Sequence, residues 1–346
     1  MTSFKLKFAV IAALGALSSP SFAAWEALPV TGFAVTGTGA GTHQPTGGTT
    51  PYKICNPNGN YGSALVVPVS AVCKSPVSPT SILQSPETGF TLAGSNSGDI
   101  LMNNALTNNV AIKIGTYQSV VFRNAAKTEC IYGTQHGLLN VDYYTAAAVA
   151  PLNSAGKQTF EVNGIALGGF AASGTVSISY ANIQANSETV YRAGRTFTSV
   201  QHRALDTSAG APIGGNTPAP GYYNLPVTPA IPGILASITG TNAAALSSPT
   251  QAQQSANLDP NWVEFTTDVN SLDPDGSSAA NSPTVYVKAA CNATTPVATD
   301  NAVRLRLTWQ EQTIAPSTYP QAFVEVRYKG FMPPSGTATP APVNPF

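Results

Sequence analysis

The chain has 346 residues, of which 9% are charged and 43% are hydrophobic, and its 16 basic residues balance its 16 acidic residues. A chain that is disordered because of its charge combines low hydrophobicity with high net charge, so the composition excludes that class. Nucleic-acid binders usually carry a basic patch or stripe, and the charge balance therefore argues against a nucleic-acid partner.

The N-terminus has the features of an export signal over residues 1–23. Lys5 and Lys7 precede an apolar run from Phe8 to Leu17, and small residues occupy the positions before a cleavage site at Ala24. This run is too short to cross about 30 Å of hydrocarbon, and no later stretch is apolar enough to span a bilayer. We therefore predict a mature chain without a transmembrane segment that is secreted, periplasmic or on the cell surface.

The beginning of the mature chain, residues 24–48, combines a short apolar pattern with a Gly/Thr-rich stretch. Leu28 and Val30 occupy even-numbered positions, whereas Phe33 and Val35 occupy odd-numbered ones. The alternating pattern of apolar residues therefore shifts by one residue at Thr31–Gly32. A β-bulge would produce such a slip, and glycine is common in bulges. Two interpretations stay open. We favour a flexible arm, and the alternative is an assembly strand that adds to an exposed sheet edge of a neighbouring copy.

Four cysteines remain after export, which predicts two disulfides in an oxidising compartment. Three pairings are possible. We favour Cys55 with Cys73, because an Asn/Gly turn and an apolar run between them could fold back, and this leaves Cys130 to pair with Cys291. The sequence contains no CxxC motif, so these residues do not predict a metal site.

Strand patterns dominate the chain, and Gly, Pro and Asn separate them. We predict an all-β, antiparallel sandwich-like fold in which a β-rich domain, residues 49–205, precedes a second β-rich part, residues 258–331. A linker or long surface loop rich in Pro, Gly and Ala joins them over 206–257, since a structureless loop of that length is uncommon inside one compact domain. A Pro-rich tail occupies 332–346.

The alternation is clearest in the C-terminal part. Val303 and Leu305 alternate with Arg304 and Arg306, which predicts one buried and one solvated strand face. The segment QAFVEVRYKGF follows the same rule, so the two runs are expected to be neighbouring antiparallel strands. The densest basic cluster is likewise interpreted as a solvated strand face beside Glu188; it consists of Arg192, Arg195, His202 and Arg203.

Three local expectations concern the middle of the chain. Strand pairs are expected around Gly115 and around Ala193–Gly194, because glycine is a frequent turn residue. The best helical pattern begins at Val141 and would end at Pro151. Helical patterns are otherwise scarce, which supports the all-β prediction.

The sequence contains no catalytic signature. Nucleophilic hydrolysis needs a nucleophile, a base and an orienting acid, and no G-x-S-x-G motif occurs. We interpret His136 and His202 as structural or surface residues and His43 as exposed. Glycoside cleavage needs only two carboxylates at a suitable separation, so a secreted polysaccharide hydrolase stays an alternative, although enzymatic activity is not favoured.

Two further pairs of residues are weaker candidates. Asp273 and Asp275 resemble part of a calcium loop, but the register places a serine at each end of the loop where carboxylates are needed, so we favour a turn and expect no metal. Tyr222 and Tyr223 lie in a Pro-bounded loop and are the candidates for stacking on a sugar.

These features predict an exported, non-enzymatic β-protein that acts as a cell-surface, filament or adhesive structural subunit. Its expected partners are other copies of itself or surface proteins, and no cofactor is expected. The alternatives are a carbohydrate-binding module with glycan partners and a secreted polysaccharide hydrolase.

Overall fold

A computed structural model describes the parts of the chain that form the fold. The described residues are 25–34, 49–50, 52–55, 73–104, 107–143, 157, 159–196, 199–200, 205–206, 211–212, 224–225, 258–272, 279–308 and 323–338. Their longer strands are β5 (Phe90–Met102), β6 (Ile112–Asn124), β7 (Glu129–Leu138), β8 (Val162–Gly168), β9 (Val176–Ala181), β15 (Trp262–Val269), β16 (Thr284–Ala290), β17 (Ala298–Thr308) and β18 (Phe323–Phe331). The shorter ones are β1 (Glu26–Leu28), β2 (Phe33–Ala34), β3 (Thr49–Thr50), β4 (Tyr52–Ile54), β10 (Arg192–Gly194), β11 (Ser199–Val200), β12 (Leu205–Asp206), β13 (Ala211–Pro212) and β14 (Asn224–Leu225).

Twelve of these strands form two six-stranded antiparallel sheets, and the other six form three two-stranded sheets, β2-β3, β11-β14 and β12-β13. Sheet I has the order β1-β9-β16-β7-β6-β5, and sheet II has the order β18-β17-β8-β15-β10-β4. The all-β, sandwich-like prediction is confirmed. Strands from residues 49–205 and from residues 258–331 are neighbours within both sheets, so both parts of the chain build the same core. The predicted linker over 206–257 lies almost entirely outside the described residues.

The core lies between the two sheets and is built by alternating side chains. One cluster of buried apolar residues includes Tyr132 and Val287 from sheet I and Ile165 and Phe265 from sheet II. Alternate residues of a strand point to opposite faces, so each sheet contributes one apolar face.

Tyr328 connects the two sheets directly. Its ring stacks on Tyr117 with a centroid distance of 4.3 Å, and its hydroxyl lies 2.9 Å from the Thr134 hydroxyl. Both partners belong to sheet I, whereas Tyr328 belongs to sheet II. The contact combines aromatic packing with a satisfied buried hydroxyl, which fixes the relative position of the sheets.

Two disulfides are present, with the pairing that the sequence favoured. Cys55 bonds Cys73 with a Cα–Cα distance of 5.4 Å, and Cys130 bonds Cys291 at 5.7 Å. The second bond closes a separation of 161 residues, and in the chain-entropy model a loop of that length contributes roughly 4 to 5 kcal/mol. Disulfides are typical of proteins outside the reducing cytoplasm.

Part of the outer face of sheet I is covered by the segment 75–89. Ile82 from this segment packs with Phe122, Ile131 and Tyr286 in a second apolar cluster. At its edge the Lys288 ammonium lies 2.8 Å from a Glu87 carboxylate oxygen and 4.7 Å from the centroid of the Trp25 ring. The outer face of sheet I is therefore buried where this segment packs, whereas Ser97 on β5 and Thr116 on β6 are exposed.

The predicted turns at two glycine positions are wrong. Gly115 lies inside the continuous strand β6, where a Cβ would lie 2.5 Å from the Gly137 carbonyl oxygen, so glycine permits close strand approach there. Ala193–Gly194 forms part of β10 and pairs with β15. The predicted helix is absent over Val141–Tyr143, and its remaining residues lie outside the described ranges. No helix within the described ranges is long and apolar enough to cross a membrane.

Candidate functional site

The two sheets end in four edge strands of very different length. Sheet I ends at β1 and β5, and sheet II ends at β4 and β18. β1 and β4 have three residues each, β18 has nine and β5 has 13. Among the described residues β5 pairs only with β6, so one whole side of its backbone forms the longest free edge of the sandwich.

The β5 edge consists mainly of small, uncharged polar residues. Its sequence, FTLAGSNSGDILM, contains one charged side chain, Asp99. The Asp99 carboxylate lies 2.7 Å from the Lys113 ammonium on the neighbouring strand. Proteins commonly protect exposed edges with lysine, proline or short strands, whereas β5 has neither lysine nor proline.

The backbone of β5 is held firmly against the rest of the sandwich. It pairs with β6 from Phe90 to Met102, with two register irregularities. The Asn96 amide donates a hydrogen bond of 3.0 Å to the Tyr117 hydroxyl. A Cβ on Gly94 would lie 3.1 Å from the Phe331 ring, so sheet II packs tightly beneath the edge. The edge is thus a supported strand that can present its free backbone groups in a fixed geometry.

Sequence reasoning missed β5 because its residues do not alternate between apolar and polar. Leu92 and Leu101 are 43% and 50% exposed, whereas Ile100 is buried. The available signal was Gly94 and Gly98, since glycine within a strand marks bulges and close backbone approach.

The outer face of sheet II corrects the prediction that Arg304 and Arg306 are solvated. Both side chains are no more than 2% exposed. Arg304 Nη1 lies 2.8 Å from Glu325 Oε1, and Arg306 Nε lies 3.7 Å from Glu325 Oε2. Arg327 Nε, which is half-exposed, lies 2.6 Å from Glu325 Oε1. Three guanidinium groups therefore surround one carboxylate that is itself only 4% exposed.

The Arg304 guanidinium also lies 4.7 Å from the centroid of the Trp262 ring. Burial lowers the pKa of Arg304 to about 10, and the Glu325 carboxylate opposes that shift. Even so, the group stays charged at neutral pH. We call the side chains of Trp262, Arg304, Arg306, Glu325 and Arg327 the charged cluster.

The basic residues beside Glu188 are also buried, against the prediction of a solvated face. Arg192 and Arg195 are 2% and 0% exposed, and Glu188 is 2% exposed. Arg195 Nη2 donates to the carbonyl oxygens of Phe170, at 3.2 Å, and Pro260, and burial lowers its pKa to about 10. These groups bind the protein's own backbone and side chains, which fits a structural role. His202 and Arg203 lie outside the described residues.

His136 lies inside the sandwich and is 1% exposed. His136 is separated from the core residues Tyr132 and Leu138 of β7 by an even number of positions. Its ring therefore points to the same side of the strand, between the two sheets. Neither ring nitrogen has a hydrogen-bond partner among the described residues, and burial lowers its pKa to about 3. The ring is neutral and enclosed, as a structural histidine would be.

The possible assembly strand falls into two pieces. Leu28 is buried in β1, which pairs with β9 of the same chain. Val30 lies in a turn closed by a 3.1 Å hydrogen bond from the Gly32 amide to the Pro29 carbonyl, and Phe33 lies in β2. A turn rather than a bulge thus causes the slip in alternation, because Gly32 adopts a φ of 70°. The addition of this stretch to a neighbouring copy stays a prediction.

The remaining candidates lie outside the described residues: Val35, Tyr222, Tyr223, Asp273 and Asp275. Within the described ranges no group of three or more His, Cys, Asp or Glu side chains could hold a metal ion. No protein-family model, curated protein or solved structure matches the chain.

Proposed function

We propose that the protein is an exported, non-enzymatic structural subunit that assembles through the β5 edge, in the periplasm, at the cell surface or after secretion. The observation that supports this proposal is the length of the edge, 13 residues, with a single charged side chain that is paired within its own sheet. Its partners are other copies of the chain or surface proteins. A cell-surface, filament or adhesive role follows from such contacts.

Strand addition explains why an edge of this kind favours assembly. An edge strand presents a row of unpaired N–H and C=O groups, and a second edge can satisfy them by continuing the sheet. Two antiparallel β5 strands related by a two-fold axis would make the same contacts on both partners. Because the exterior of the chain carries few charges, electrostatic repulsion between copies is weak.

Opposite charges at one edge position test the proposal. Ser97 is exposed on β5, and we expect Ser97→Lys and Ser97→Glu each to weaken self-association, because like charges facing each other across paired strands are destabilising. Mixing the two variants should restore association. Light scattering coupled to size-exclusion chromatography measures the mass, and electron microscopy of the purified mature protein shows whether filaments form.

The matched control places the same charges one strand further in. Thr116 is exposed on β6, where neighbouring strands lie about 4.8 Å apart. Thr116→Lys and Thr116→Glu should leave self-association near that of the unmodified chain. A monomer at every concentration, or equal effects at both positions, would contradict assembly through β5.

A further inference from the structure

A cleft of about 220 Å³ opens beside the Cys130–Cys291 disulfide, away from the charged cluster. One wall is the segment 292–297, which follows Cys291, and the other is the segment 332–336, which follows β18. Tyr132 and Thr299 also line it. None of the described lining residues belongs to β5, so the cleft is separate from the edge that we propose for assembly.

The first wall is fixed by hydrogen bonds and by the disulfide. The Arg123 guanidinium donates to the carbonyl oxygens of Asn292, at 3.3 Å, and Thr294, at 2.9 Å. The Thr294 amide donates to Asn292 Oδ1 at 2.9 Å. The Cys291 amide donates to the Thr128 carbonyl at 2.9 Å. The wall is therefore preorganised, which reduces the entropy that a ligand must overcome on binding.

The second wall is fixed in a comparable way. The Gly336 amide donates to the Pro333 carbonyl at 2.9 Å, and the neighbouring Thr337 carbonyl accepts a 3.0 Å hydrogen bond from the Asn261 side chain. A Cβ on Gly336 would lie 2.5 Å from the Gly169 carbonyl oxygen. The segment is thus packed against the end of β8, and the cleft keeps its shape without a ligand.

The chemistry of the lining selects an uncharged ligand. None of the described lining residues carries a charged side chain, and an ionised group that enters such a site loses hydration without gaining a counter-charge. Burial raises the pKa of the Tyr132 hydroxyl well above its ordinary value, so this group is also neutral. The Arg123 guanidinium is occupied by the backbone of the first wall.

The cleft is lined by both hydroxyl groups and apolar surfaces. Thr294, Thr295, Thr299 and Ser335 supply groups that can both donate and accept hydrogen bonds, while prolines and Val297, which is 74% exposed, supply C–H surfaces. A pyranose ring has the complementary pattern of hydroxyls around its rim and C–H groups on its faces. The volume of about 220 Å³ is smaller than the 300–1,000 Å³ typical of drug-sized sites, so the cleft suits a ligand as small as one ring.

We propose that this cleft binds a single neutral sugar residue of a glycan. The inference does not rest on assembly through β5, and the binding site is distinct from the loop that contains Tyr222 and Tyr223. The structure thereby gives the chain a second way of making contact, in addition to its sheet edge.

Titration with methyl glycosides tests the proposal. Methyl glucoside, galactoside, mannoside and N-acetylglucosaminide are added to the full mature protein, and methyl glucuronide serves as the charged comparator. Saturation-transfer NMR detects weak binding. We expect saturable binding of at least one neutral glycoside. Thr295→Trp, which fills the cleft from an exposed loop, should weaken it by at least about tenfold.

Thr88→Trp is the matched control, because Thr88 is an exposed threonine outside the cleft. Unchanged circular dichroism and unfolding midpoints show that both variants fold. Binding that survives Thr295→Trp, equal loss in both variants, preference for the glucuronide or no saturable binding at all would overturn the proposal. Repeating the titration with Ser97→Lys separates the two proposals, since this change should leave glycoside binding intact whatever its effect on association.

Discussion

The outer faces of the two sheets each contain a buried region, and the two regions have opposite chemistry. Part of the outer face of sheet I is covered by the segment 75–89, whose Ile82 packs on Phe122, Ile131 and Tyr286. The outer face of sheet II contains buried charges, with Arg304 and Arg306 facing Glu325. The buried region of sheet I is apolar, as buried surfaces usually are, whereas the buried region of sheet II contains charged side chains.

The difference shows where a chain with few charges places them. Of the six arginines that the structure describes, the four at positions 192, 195, 304 and 306 are no more than 2% exposed. Burying an ion costs several kcal/mol that its partner only partly offsets, so such pairs are poor sources of stability. We expect these pairs instead to act through their geometric requirements, by restricting the packing of sheet II to one arrangement.

The largest predicted effect comes from Glu325→Gln, which removes the carboxylate that three arginines share. We expect a loss of about 3–5 kcal/mol in the free energy of unfolding, because uncompensated charges then remain buried. Urea unfolding measures it. Asp99→Asn is the matched control: its ion pair with Lys113 is about half-exposed, and surface pairs contribute about 0–1 kcal/mol. Similar losses of unfolding free energy in both variants would show that the buried charges of the cluster depend on Glu325 no more than an exposed ion pair depends on its carboxylate.

The sequence predicted most strands correctly where apolar and polar residues alternate. Val303 and Leu305 are indeed core residues, and the two disulfides agree with the pairing predicted from the four cysteines. Alternation could not reveal that the opposite face, with Arg304 and Arg306, is buried as well, because burial there depends on long-range packing. Gly115 was misjudged for a related reason: glycine serves both turns and close strand contacts, and local sequence does not distinguish them.

The next largest effect on the free energy of unfolding is expected in the segment 75–89, which packs on the outer face of sheet I. Ile82→Ala should lower the free energy of unfolding by about 2–3 kcal/mol, toward the lower part of the range for buried Ile or Leu to Ala, since a surface segment can partly collapse into the space. The same urea experiment measures it. Leu83→Ala is the control, because Leu83 is the next residue and is 52% exposed. Equal effects at the two positions would mean that segment 75–89 does not act as an apolar cover.

The smallest effect concerns His136, which lies between the two sheets rather than on either outer face. Its pKa in the folded chain is about 3, below the ordinary value of about 6.5 that applies to the unfolded chain. As the pH falls below about 6.5 the unfolded chain binds a proton that the folded chain does not, so stability decreases by up to about 1.4 kcal/mol per pH unit.

Between pH 6.5 and 5, above the usual range of carboxylates, the loss attributable to His136 should approach about 2 kcal/mol. Urea unfolding of the unmodified chain and of His136→Gln at several pH values measures the slope, which should flatten in the variant whatever its absolute stability. The same slope in both proteins would mean that the folded chain can protonate His136, and the interior between the two sheets would then be accessible to protons.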